Sequence, residues 1–166
     1  MAMLIGNSEQ YIEAIWHGHA LEKIVEAEEK KGRTESKIRF LALVEQLHPF
    51  VSLRQHRRAQ EMIGRIEAVL SQKENVWKTQ KDMLPMLWQY YGDSMIVYAE
   101  LLDMERAEQQ YQKALQLPVI PDCTLSLRIS HMNMIKQDKP ESCLEECCEI
   151  ESLLPQEAVM SRTNIY

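Results

Sequence analysis

Proline placement constrains this chain more than any other feature. Its six prolines (Pro49, Pro85, Pro118, Pro121, Pro140 and Pro155) fall between apolar runs, and only five glycines accompany them. A proline ends or begins a helix because it lacks the amide proton and clashes with the preceding turn. The chain therefore reads as helices cut at those points. Between the cuts lie abundant Leu, Glu, Gln, Lys and Ala and ten Met, all good helix formers. An all-α fold of antiparallel helix hairpins follows. The 166 residues suffice for one ordinary domain or a short stack of repeats.

Charge and composition exclude several functions. Nineteen basic against 25 acidic residues leave a net charge of −6, which argues against general nucleic-acid binding. No apolar stretch approaches the ~18–20 residues of a membrane span. The opening MAMLIGNSEQ lacks the basic and apolar regions of a secretion signal. A soluble, intracellular protein of the cytoplasm or nucleus is expected, with neither membrane nor nucleic acid as partner.

The apolar spacing predicts a helix from near Glu9, capped by Asn7 and Ser8 and ending at Gly32. A second helix is expected over 35–47, capped by Thr34 and interrupted at HPF (48–50), and a third over 52–72. Two hairpins follow, at 86–101 with 104–117 and at 123–136 with 140–153, and a last helix starts near Gln156. These divide into N-terminal helices (1–85) and a hairpin region (86–166).

The hairpins repeat. Tyr98 lies on the first helix of one pair, and Ala107, Tyr111 and Ala114 share a face of the second, with Gln110 on its outer side. Small residues are what close helix–helix contacts require. Thirty-six residues on, Met134, Cys143, Cys147 and Ile150 take the corresponding places. A weaker copy covers 40–73, with Phe50, Ala59, Ile63 and Ile66, set 48 residues before the next. A non-repeating helical bundle is the rival arrangement.

The Ala-x3-Tyr-x2-Ala spacing and the wording YQKALQLP resemble the second helix of a tetratricopeptide repeat, which implies a short solenoid of stacked hairpins. Met95 stands where that family places a small residue. Over residues 88–166 the wording is similar to the N-terminal domain of the seventh-subunit family of the anaphase-promoting complex. Lys136, Gln137, Asp138 and Lys139 supply the turn, and Asn164 and Tyr166 the ending. The resemblance implies a non-catalytic scaffold that forms homodimers and joins other subunits of a ubiquitin ligase. The solenoid also reads as unfinished, because Val159, Met160, Ile165 and Tyr166 begin a helix left without a polar cap. The rival is a helical chaperone or adaptor whose groove takes an amphipathic peptide, such as a secretion-component chaperone.

No catalytic constellation and no cofactor motif stands out. Cys143, Cys147 and Cys148 read C-x3-C-C, and Cys123 with His131 supplies no second pair for zinc, so the thiols read as core. His17 and His19, two residues apart, point to different sides of a helix. Arg54, His56, Arg57 and Arg58 form a basic cluster, read first as a solvated helix start and second as a patch for an acidic segment or phosphate. Glu141, Glu145, Glu146, Glu149 and Glu151 read as a solvated face. Trp16, Trp77, Trp88, Tyr90 and Tyr91 are read as packing or partner contact, with Arg54, Arg57 and Arg58 beside them.

Overall fold

The computed structural model describes residues 2–31, 36–72, 78, 80–136 and 139–153. Among them run seven α-helices: α1 (Ala2–Glu29), α2 (Ser36–Ser52), α3 (His56–Leu70), α4 (Leu84–Glu100), α5 (Met104–Leu115), α6 (Pro121–Ile135) and α7 (Pro140–Leu153). A short 3-10 turn at Lys81–Met83 leads into α4. The all-α expectation holds, and α1 with α2, α2 with α3, α4 with α5 and α6 with α7 pack as antiparallel pairs.

The helices form two compact units, Met1–Leu117 and Pro118–Tyr166. The sequence placed a boundary at 85/86. The structure moves it to 117/118, because α4 packs on both α2 and α3 and so joins the N-terminal helices. In the first unit α2 lies against α1, α3 and α4, and α5 folds back along α4. Its core gathers Phe40, Leu43, Val44 and Leu47 of α2, Ile63 and Ile66 of α3, and Tyr90, Met95 and Val97 of α4.

The two hairpins α2–α3 and α4–α5 close by the same device. Arg54 and Leu102 each adopt positive φ, 54° and 60°. At each turn the next amide reaches back five residues: Gln55 N–H donates to the Phe50 carbonyl at 2.8 Å, and Asp103 N–H to the Tyr98 carbonyl at 2.9 Å. This left-handed closure satisfies carbonyls that the helix end would leave orphaned. Each turn also places an arginine over an aromatic ring, Arg58 over Phe50 at 5.8 Å and Arg106 over Tyr98 at 5.2 Å. Every member of one set lies 48 residues from its counterpart, the offset expected between these copies. Phe50, Ala59, Ile63 and Ile66 in the first copy, and Tyr98, Ala107, Tyr111 and Ala114 in the second, are all buried.

Several boundaries differ from the sequence reading. The backbone is already helical at Ala2, so Asn7 and Ser8 do not open α1. Helix α2 continues through Pro49 to Ser52, past the expected stop at HPF. The proline lies one turn from the helix end and removes one hydrogen bond, while continuing the helix buries Pro49, Phe50 and Val51. Helix α3 starts at His56 because the turn occupies 53–55. Gln110, expected on the outer side of α5, is 2% exposed. Gly32, Thr34, Trp77, Gln137, Asp138 and the helix expected from Gln156 lie outside the described residues.

In the second unit α6 and α7 pair, burying Thr124, Leu127, His131 and Ile135 of α6. Met134, Cys143, Cys147 and Ile150 are half-buried, less enclosed than their counterparts in α4 and α5.

Two substitutions in the α4–α5 hairpin should move stability in opposite directions. Ala114 has no exposed surface, so Ala114→Leu forces overpacking and should lower the unfolding free energy by about 1–3 kcal/mol. Leu102 is 86% exposed and holds φ 60°, so Leu102→Gly should raise it by about 0.5–1 kcal/mol. Urea denaturation midpoints measure both. A stabilised Ala114→Leu protein contradicts the close α4–α5 packing, and a destabilised Leu102→Gly protein contradicts strain at the turn.

Candidate functional site

Helix α1 has apolar residues on both sides, and only one side is covered. Its inner face carries Gly18, Glu22 and Val25, all buried. Gly18 permits close approach to α2: a β-carbon there would stand 2.5 Å from Gln46 Cγ and 2.9 Å from the Ala42 carbonyl oxygen. Beside it the buried Glu22 carboxylate pairs with Arg65 of α3, and Gln46 of α2 approaches it at 3.4 Å. Arg65 loses water on packing, and its pKa is pushed down. A buried carboxylate with a cationic partner fixes which face turns inward, because rotating the helix would leave both charges unmatched.

The opposite face looks into solvent. Ile12 is 50% exposed, Trp16 71% and Ile24 60%, and Ala20 between them is exposed as well. Steps of four residues align these side chains along one stripe. Exposed indole and isoleucine side chains in a row mark a protein-contact surface more often than scattered apolar residues do. Trp16 was among the aromatic residues the sequence offered for partner contact, and the structure places it at the centre of the stripe. Lys23 and Glu13, whose charges flank it, carry no distinguishing sequence signal.

The other expected contact residues separate. Trp88 and Tyr90 belong to the core of the first unit and are not surface residues. Tyr90 packs against Phe40 and Tyr91 with ring centroids 6.3 and 4.9 Å apart. The correction follows from the stacking of α4 on α2, which the period of α4 alone does not reveal. Tyr91 is half-buried. Arg54, Arg57 and Arg58 are exposed, but Arg57 pairs with Glu61 at 3.4 Å and Arg58 donates to the Gln55 side-chain oxygen Oε1 at 3.1 Å. His56 Nε2 lies 2.7 Å from Glu100. The basic cluster is thus partly matched within the fold.

Glu146 corrects the reading of a solvated acidic face. It is buried between Arg128, at 2.9 Å, and His131 Nδ1, at 3.2 Å. Glu149 also reaches Arg128, at 3.6 Å, but stays exposed; only Glu146 of the run is buried, and composition cannot tell them apart. The cysteines are free thiols; Cys143 and Cys147 are half-buried, Cys148 is exposed, and the Cys147 thiol lies 3.4 Å from the Met132 sulfur. Loss of water and the adjacent Cys143 push the Cys147 pKa up, away from thiolate reactivity. Among the described residues no three His, Cys, Asp or Glu side chains form a group suited to a metal ion. No helix among them is long and apolar enough to cross a membrane.

One pair escaped the sequence reading because its members are 45 residues apart. His48 Nδ1 of α2 lies 3.1 and 3.3 Å from the two carboxyl oxygens of buried Asp93 of α4, and the Tyr11 ring of α1 meets the imidazole edge-on at 6.1 Å. The pair ties the two hairpins together. The hydrogen bond to Asp93 raises the His48 pKa against the opposing effect of burial. Burial raises the Asp93 pKa, with His48 opposing it.

A raised folded-state pKa contributes stability that is present at low pH and lost as the pH climbs through it. For His48 that loss begins above the ordinary value of 6.5. With the ring half in water, the contribution is below about 1 kcal/mol. The urea midpoint should therefore fall as the pH rises above 6.5, and His48→Gln should flatten that fall. An equal fall in both proteins would remove the pair as its source. No protein family, curated protein or solved structure matches this chain.

Proposed function

We propose that this chain is a non-catalytic scaffold module, a tetratricopeptide-like stack that joins protein subunits into a larger assembly. The observation that carries the reading is α1, a helix locked by its inner face and apolar on its outer face at Ile12, Trp16 and Ile24. An uncovered apolar stripe disfavours a free monomer and favours a bound one. The matched turns at Arg54 and Leu102 support a repeat of the tetratricopeptide kind. The wording of 88–166 points to the homodimeric N-terminal part of an anaphase-promoting-complex subunit, acting in the cell cycle from the nucleus or cytoplasm.

The shallow groove on α6 along Leu125, Ser126 and Ile129 is where an amphipathic peptide would seat if the chain were instead a chaperone. Purification of the full chain from its native cells, with cross-linking mass spectrometry, separates the two. A scaffold is expected to bring down several subunits of a ubiquitin ligase in fixed ratio, with cross-links to α1. A chain recovered alone, or bound only to one client segment along α6, overturns the scaffold reading.

A further inference from the structure

We propose that the outer face of α1 pairs with the same face of a second copy, the two helices running antiparallel about the level of Gly18. The inference rests on the reading of the chain as an assembly module, and adds the surface, the orientation and the register of self-association. It is carried by residues outside the stretch that suggested a family.

The register comes from chemistry at fixed spacing. The outer residues fall in pairs equidistant from position 18 along the helix, 12 with 24, 13 with 23 and 16 with 20. In an antiparallel pair Trp16 meets the partner's Ala20, while Ile12 and the partner's Ile24 stand at one level on the two flanks of the seam. The largest side chain of the stripe faces the smallest. That alternation lets two helices approach closely without overpacking. Glu13 meets the partner's Lys23, and the two-fold axis creates this ion pair twice. Both residues are exposed on the same side as the stripe.

A parallel pair is excluded by the same residues. It would set Trp16 on Trp16, Glu13 on Glu13 and Lys23 on Lys23, two like-charge contacts with no compensating one. An unrelated partner would not require acid and base to stand at equal distances on either side of the apolar centre. The contact runs from about residue 12 to about residue 24, about 18 Å of helix. One helix pair of that length lies at the small end of specific interfaces, so association in the micromolar range is expected.

Charge reversal at Glu13 and Lys23 tests the proposal without touching the core. Sedimentation or light scattering of the full chain from about 1 to about 500 µM would follow dimerisation, with helicity checked by circular dichroism. Glu13→Lys puts two lysines together at both ends of the seam, and Lys23→Glu puts two glutamates there. Each single variant should dimerise about tenfold more weakly than the native chain. An equimolar mixture of the two should form the heterodimer at native strength or better, and the double variant Glu13→Lys/Lys23→Glu should recover self-association. Single variants that dimerise as well as the native chain, or a mixture that does not recover, overturn the antiparallel register. A native chain that stays monomeric to the top of the series overturns self-pairing. If that monomer still brings down ligase subunits from cells, the scaffold reading stands without it. A dimer that brings down none reverses the two.

Discussion

Phe40, Ala42, Leu43, Val44, Leu47, Phe50 and Val51 are all withdrawn from water, so α2 presents apolar side chains in nearly every direction and must be covered by three helices at once. The first unit is arranged around that requirement. Helix α1 covers one side at the close range that Gly18 permits, α3 returns along another, and α4 closes the third. Where polar atoms are buried against α2 they find matches: Gln46 donates to the Ala42 carbonyl at 2.9 Å and approaches Glu22, and Asp93 meets His48. A helix enclosed on so many sides also keeps its shape through Pro49, since stopping earlier would expose Phe50 and Val51.

Enclosure explains what was legible in the sequence. Helices that begin at a proline or lie between two breaks were readable: Pro140 begins α7, and Pro85 stands in the first turn of α4. The hairpin pairing and the small residues Ala107 and Ala114 were also readable, because close helix contact demands them whatever lies beyond. Side-chain destinations that depend on a third helix were not. Tyr90 is buried against Phe40 of α2, outside its own hairpin, and one helix's period gives no sign of such a neighbour.

The candidate surface divides in the same way. Trp16 stood out as an aromatic residue available for contact, but α1 carries Ile12, Ile15, Trp16, Ile24 and Val25 around much of its circumference. Nothing in that pattern says which side is core. The decision comes from Gly18 and from Glu22 with Arg65, a glycine and two charges that become informative only once α2 and α3 are in place. Glu146 illustrates the same point in α7, one glutamate among several that turns inward because Arg128 and His131 wait on α6.

The stretch between α3 and α4 carries a consequence for how the two hairpins are joined. The turns inside the two hairpins span only residues 53–55 and 101–103, whereas the connection from α3 to α4 spans 71–83. Lengthening a connection from about three residues to about thirteen adds only about 1 kcal/mol of closure entropy, since the term grows with the logarithm of length. Against the burial of Tyr90 beside Phe40 of α2, that addition is small. The chain can therefore keep one turn geometry in both hairpins, at Arg54 and Leu102, while the link that joins them is about four times as long as either turn.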